Sequence, residues 1–204
     1  MNTASSVEEI GENQLAEAVN LEIDIATGRL MTVAGTVDIL TAEISAAIYD
    51  SINDLILIVS NDGEVKVSDL SGNMGSLSVG KLSGGLYPKY CAWENGVLIA
   101  SGGQLQYFNG RELLTLDSPP ANEVFVRNGR AVISSGSTLR YSGVGDETDW
   151  AEDNNRENAS KFIEIGYKDG GEIIGVIPLA QDIFILKDNK RAYRLSGVSE
   201  LGAE

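Results

Sequence analysis

Between Leu55 and Gly197 the chain repeats one phrase: an apolar strand, a tight polar turn and an alternating strand. "DLILIVSNDGEVKVSDL" turns at Asn61-Asp62-Gly63, after which Val65 and Val67 share one face. "NGVLIASGGQLQYFNG" turns at Ser101-Gly102-Gly103, "NGRAVISSGSTLRYSG" at Ser135-Gly136-Ser137, and "AQDIFILKDNKRAYRLSG" at Asp188-Asn189. Such turns need positive φ, which glycine adopts without penalty and asparagine at little cost. A further short strand precedes each copy: "EISAAIY", "KYCAWENG", "EVFVRNG" and "EIIGVIP". Each unit is therefore a meander of at least three strands. The turns lie about 40, 34 and 52 residues apart, near the period of propeller blades. A blade buries its faces only against its neighbours, whereas a sandwich seldom repeats the same strand-turn-strand phrase. The expected fold is all-β, with antiparallel meander repeats forming a propeller-like body, small or incomplete, over residues 37–204.

Residues 1–36 form a separate N-terminal segment in this reading. Within it "AVNLEIDIATGRLMTV" alternates Leu21, Ile23 and Ile25 and turns at Thr27-Gly28, a β-hairpin available to close a ring or dock on a neighbour. "TVDILTAEISAAIYDSIND" also suits a helix, with Ile39, Leu40, Ile44, Ala47 and Ile48 at helical spacing. Its second half matches the leading strand of the later units, so a strand is expected there.

Composition removes several kinds of function. Thirty acids against fifteen bases give a formal charge of −15, which disfavours a surface for nucleic-acid phosphates. The nearest basic group, Lys187, Lys190, Arg191 and Arg194, straddles a turn and reads as a solvated hairpin tip. The absence of histidine removes the usual neutral-pH general base and every Ser-His or Cys-His nucleophile. Cys91 is the only cysteine; it can form neither an internal disulfide nor a thiolate zinc cluster and reads as a small packing residue. The amino terminus shows no signal-peptide pattern, and the longest aliphatic run, "LILIV", is too short to span a bilayer. A soluble protein made in a cytoplasm is expected.

"LRYSGVGDETDW" and the residues after it hold the strongest candidate site. Asp146, Glu147, Asp149 and Asp153 offer hard oxygen ligands of the type calcium takes, but their spacing does not match a calcium loop. The preferred reading is structural, with Trp150 covering a blade corner and Asp146 or Asp149 accepting bonds from turn N–H groups. Asp146, Asp149, Trp150 and Asp153 are thus candidates for inter-blade or inter-subunit contact, and no catalytic, metal or cofactor residue is assigned. Paired carboxylates could serve a glycosidase, yet no pair stands out, and "SGGLYP" and "SGGQL" lack the lysine of a phosphate loop.

The phrases "ENQLAEAVNLEIDIATGRLMTVAGT", "LRYSGVGDETDW" and "GGEIIGVIPLAQDIFILKDNKRAYRLSG", in that order, resemble the tail nozzle and tail hub proteins of short-tailed bacteriophages. The resemblance implies a non-enzymatic virion component, assembled in the host cytoplasm. It also implies a homo-oligomeric ring, six-fold in such proteins, around the DNA channel, flanked by other tail or portal-adaptor proteins. Neither specific nucleic-acid binding nor membrane association is implied. The chain is short beside such proteins and ends soon after the fourth hairpin, so it is expected to build a small propeller or one piece of a larger assembly. The alternative is a propeller binding module that recognises glycan or protein; against it, only 6% of residues are aromatic, and Tyr107, Tyr141 and Tyr193 fall inside strands.

Overall fold

The computed structural model describes residues 21–23, 30–32, 43–70, 74–85, 87–153 and 155–196. The chain divides into two compact units, Met1–Ile39 and Leu40–Glu204. In the first, β1 (Leu21–Ile23) pairs antiparallel with β2 (Leu30–Thr32). Ile25 and the Thr27-Gly28 turn, with Ile39 and Leu40 of the ambiguous stretch, lie outside the described residues.

The second unit is all-β, and no helix forms among its described residues. Sheet 1 contains β3 (Ile44–Asp50), β4 (Leu55–Ser60), β5 (Glu64–Asp69) and β6 (Met74–Lys81). Sheet 2 contains β7 (Lys89–Trp93), β8 (Gly96–Ala100), β9 (Gln104–Phe108) and β10 (Leu113–Pro120). Sheet 3 follows with β11 (Glu123–Arg127), β12 (Arg130–Ser135), β13 (Thr138–Tyr141) and β14 (Lys161–Glu164). Sheet 4 has three strands: β15 (Ile173–Leu179), β16 (Asp182–Lys187) and β17 (Ala192–Leu195). Within every sheet the strands pair antiparallel in chain order, so each is a meander and none closes on itself. The strand expected over "EISAAIY" is β3. Each unit has at least three strands, as the repeat phrase implies, and β6, β10 and β14 add a fourth to the first three sheets.

Register decides which side chains each sheet gives to which neighbour. In β12, Val132 pairs with Phe125 and Tyr141 on one face, while Ile133 pairs with Val124 on the other. The first set meets Ile173, Ile183 and Ile185 of sheet 4. The second meets Leu98, Ala100 and Leu105 of sheet 2. The other face of sheet 2, with Val97, Ile99 and Phe108, meets Ile48, Leu57, Val59 and Val65 of sheet 1. Three apolar cores thus alternate with four sheets, the stacking of propeller blades.

The links between blades repeat as well. The residue after each fourth strand is buried and donates its N–H to the turn between the second and third strands: Leu82 to the Gly63 carbonyl, Ala121 to Gly103 and Ile165 to Ser137, at 3.0, 2.8 and 2.9 Å. At the opposite rim, side chains join the turns between first and second strands. Asn53 Nδ2 donates to the Asn95 carbonyl (2.9 Å), and Arg127 donates to the Ala180 carbonyl (2.6 Å).

Candidate functional site

The strand β13 ends at Tyr141, and its continuation leaves the sheet as a loop that returns only at β14. Arg130, buried at the start of β12, secures that loop. Its guanidinium donates to the carbonyls of Ser142 (2.6 Å) and Ala159 (2.7 Å), at the two ends of the excursion. Burial pulls the Arg130 pKa below its ordinary value, yet a guanidinium remains charged. A buried cation spread over carbonyl dipoles is costly to assemble and costly to break. Ser142 adds a second fastening: its hydroxyl accepts the Ala131 N–H and donates to the Gly143 carbonyl.

The named acids of the loop are each engaged within the chain. Asp146 Oδ1 accepts the Thr148 hydroxyl (2.6 Å) and the Thr148 N–H (2.9 Å), which lowers its pKa. Asp149 and Asp153 flank Arg156, at 2.9 and 3.3 Å, while Asp153 also accepts the Asn155 N–H. Glu147 takes the Trp93 indole N–H (3.0 Å). Among the described residues, no group of three or more acids or thiols gathers as a metal cage. Trp150 is half-buried against the core between sheets 2 and 3, and its indole N–H donates to the Glu147 carbonyl (2.8 Å). The loop therefore covers a seam between two blades, fixed by Trp150 from one side and Arg130 from the other.

A second feature lies between sheets 3 and 4. Ser135–Thr138, Glu164, Gly166 and Lys168–Glu172 border an open cleft of about 510 Å³. Behind its Asp169 wall sits a buried ion pair that sequence reasoning missed. Lys187 is the last residue of β16 and shares the inward face of Ile183 and Ile185; its ammonium donates to Asp169 Oδ1 and to the Ile165 carbonyl (2.7 Å). Tyr193 donates its hydroxyl to Asp169 Oδ2 (2.7 Å). Lys187 first, then the Gly171 N–H and the Tyr193 hydroxyl, hold the Asp169 carboxyl well below the usual carboxylate range. Lys187 is thus no part of a solvated tip. The alternation of β16 placed it inward, a signal present in "IFILK". Lys190 and Arg191 remain exposed at the turn, and Arg194 pairs with Asp182 (2.8 Å).

Arg130, Asp146, Asp149, Asp153, Asp169 and Lys187 all bond within the chain, which suits them to holding blades together. Fold and site define a propeller-like all-β protein with structurally secured loops. No known protein-family model matches the sequence, and no curated protein matches it either. Among solved structures, the chain is similar to the computationally designed Ika4 protein, at 10% identity and a TM-score of 0.49, covering 79% of this chain and 95% of that one. It is also similar to the extracellular domain of a putative one-component system from B. thetaiotaomicron, at 14% identity and a TM-score of 0.52. That match covers 89% of this chain but 26% of the other, so the chain spans about a quarter of that relative's length. At such identities the likeness concerns the fold alone.

Proposed function

We propose that the protein is a non-enzymatic structural component of a bacteriophage tail, of the nozzle, hub or adaptor kind, whose copies assemble around the DNA passage. The reading rests on the resemblance of the quoted phrases to short-tailed phage tail proteins. One observation supports it most: the two later phrases fall on consecutive blade parts. "LRYSGVGDETDW" is β13 with its seam-covering loop, and "GGEIIGVIPLAQDIFILKDNKRAYRLSG" spans all of sheet 4. The excess of acids suits a wall past which DNA must slide without adhering. Asp146, Asp149, Trp150 and Asp153 belong to a loop held firmly enough to present a fixed surface to a neighbouring subunit.

Virions of the phage that encodes the chain provide the test. Antibody against the protein, imaged by electron microscopy, is expected to label the tail, and the purified protein is expected to form ring-shaped particles. Label absent from the tail, together with turnover of a polysaccharide or a clear hit on a glycan array, would overturn the reading. The open cleft beside Lys168 and Glu172 favours a propeller binding module as the second reading, and the same array decides it.

A further inference from the structure

The second strands of the four sheets are all written for burial on both faces, but only two receive it. β8 is buried at every position and β12 at five of its six. β4, "LILIVS", and β16, "DIFILK", are as apolar, yet their burial alternates along the strand. In sheet 4 the inward face is closed by Ile183 and Ile185. Register puts Ile177 opposite Phe184 and Gly175 opposite Leu186 on the other face, where Ile177, Leu179 and Leu186 are 53%, 61% and 41% exposed. In sheet 1, register groups Ala47, Tyr49, Ile56 and Ile58 on the face turned away from sheet 2, with Lys66 and Ser68 of β5 beside Ile58 and Ile56; Tyr49 is 45% exposed there. Among the described residues, none of the three cores joins sheet 4 to sheet 1. A contiguous bare apolar face marks an interaction surface.

We propose that the occupant is a second copy of this chain. Sheet 1 of one copy stacks on sheet 4 of the other, as each sheet stacks on the next within the chain, and two copies close head to tail into one eight-sheet body. Three considerations favour this partner. The two bare faces are the missing members of the series that the three internal junctions define, so a copy supplies both at once. Pairing two sheet 4 faces would instead leave both sheet 1 faces uncovered. Four blades and four more reach the upper end of the size range of closed propellers, about eight blades. The third consideration is charge. At the turn between second and third strands, sheet 4 carries exposed Lys190 and Arg191 beside Asp188, whereas the same turn of sheet 1 carries exposed Asp62 and Glu64, with Lys81 opposite Glu64; each rim adds one exposed acid ahead of its first strand, Glu172 and Glu43. Stacking in the internal sense brings these opposite charges together, which fixes orientation and partner. Arg194 on the sheet 4 face is already neutralised by Asp182.

This inference rests on the homo-oligomer part of the proposed reading but sets two copies per body in place of the six-fold ring that the resemblance implies. Sedimentation of the full chain at low salt tests it, with a charge swap as the discriminating step. The parent is expected to sediment at twice the 21.7 kDa of the chain. A Lys190→Glu/Arg191→Glu variant and a Glu43→Lys/Glu64→Lys variant should each self-associate at least about tenfold more weakly. Mixed one to one, the two should recover the dimer, because both junctions of the mixed pair oppose unlike charges. Leu179→Asp should give a monomer with unchanged circular dichroism, which separates lost docking from lost folding. The inference is overturned by a parent that stays monomeric up to about 100 µM, by a mass other than twice the chain, or by a mixture that fails to recover. A dimer recovered by the charge swap, from a protein absent from phage tails, would sustain the junction and sink the tail reading.

Discussion

Arg130 shows how much of the loop architecture hangs on one side chain. It binds both ends of the excursion between β13 and β14, and its guanidinium donates to carbonyl oxygens. Arg130→Met removes these charge-assisted bonds and leaves buried carbonyls unpaired, at an expected cost of about 2–4 kcal/mol in denaturant unfolding. Trypsin should then cut after Arg156, which lies inside the released loop. Asp169 makes a pH prediction. Unfolded, its carboxyl titrates near an ordinary value of about 4; folded, Lys187 holds it far lower. The pair therefore stabilises the fold above the unfolded value, and that contribution fades as pH falls from there towards the lowered one. Asp169→Asn should be less stable than the parent at neutral pH, with the gap narrowing in acid, as read by denaturant titrations at several pH values. Cys91 packs against the core between sheets 2 and 3, and burial pushes its thiol up to about 12. Iodoacetamide at pH 8 should label it more than about a hundredfold faster in denaturant than in the native protein, since only the thiolate reacts. The packing role of Cys91 was legible from its apolar setting. The role of Arg130 was not, because its partners are backbone carbonyls, which leave no mark on side-chain pattern.

At the scale of elements, the turns carry the clearest chemistry and the clearest surprise. Each turn between first and second strands contains a non-glycine residue at positive φ: Asp54, Glu94, Asn128 and Ala180, at 54, 44, 50 and 50°. Gly96 follows one of these turns for a different reason. A Cβ there would stand 1.9 Å from the Phe108 carbonyl oxygen, so "ENG" needs its glycine for close approach of β9 and not for its dihedral angles. Ala180 has neither a side-chain bond nor a packing role to offset its left-handed conformation, and it is exposed. Ala180→Gly should raise stability by about 1 kcal/mol, seen as a higher denaturation midpoint with unchanged slope. The repeat phrase revealed the first three strands of each unit because aliphatic alternation marks them. The fourth strands escaped it: β6 is "MGSLSVGK" and β10 ends in two prolines, compositions that only an outer edge tolerates. Their regular signal was instead the single apolar residue after each, Leu82, Ala121 or Ile165, which the register of the next blade buries.

For the molecule as a whole, a row of sheets joined only to its neighbours makes stability a local quantity. Sheets 2 and 3 each bury two faces, while sheets 1 and 4 each bury one against a neighbouring sheet. The sequence announced four equivalent blades and could not announce this inequality, since β4 and β16 are as apolar as the strands that end up enclosed. What separates them is position in the row, a property of the assembled fold and not of any window of residues. Opening an end blade exposes one core, whereas opening a middle blade exposes two, so the cost of local unfolding should rise towards the centre. Amide hydrogen exchange of the dilute protein is therefore expected to protect β8 and β12 most strongly and β17 least, because among the described residues β17 pairs only with β16 and its inward face rests on Tyr193 and Leu195. Raising the protein concentration at low salt should slow exchange in β16 and β4 while leaving β8 unchanged, because a face covered by another copy behaves as an internal one. Uniform protection across the four sheets at every concentration would mean that the unit unfolds as one cooperative block, and the nearest-neighbour account of its stability would be wrong.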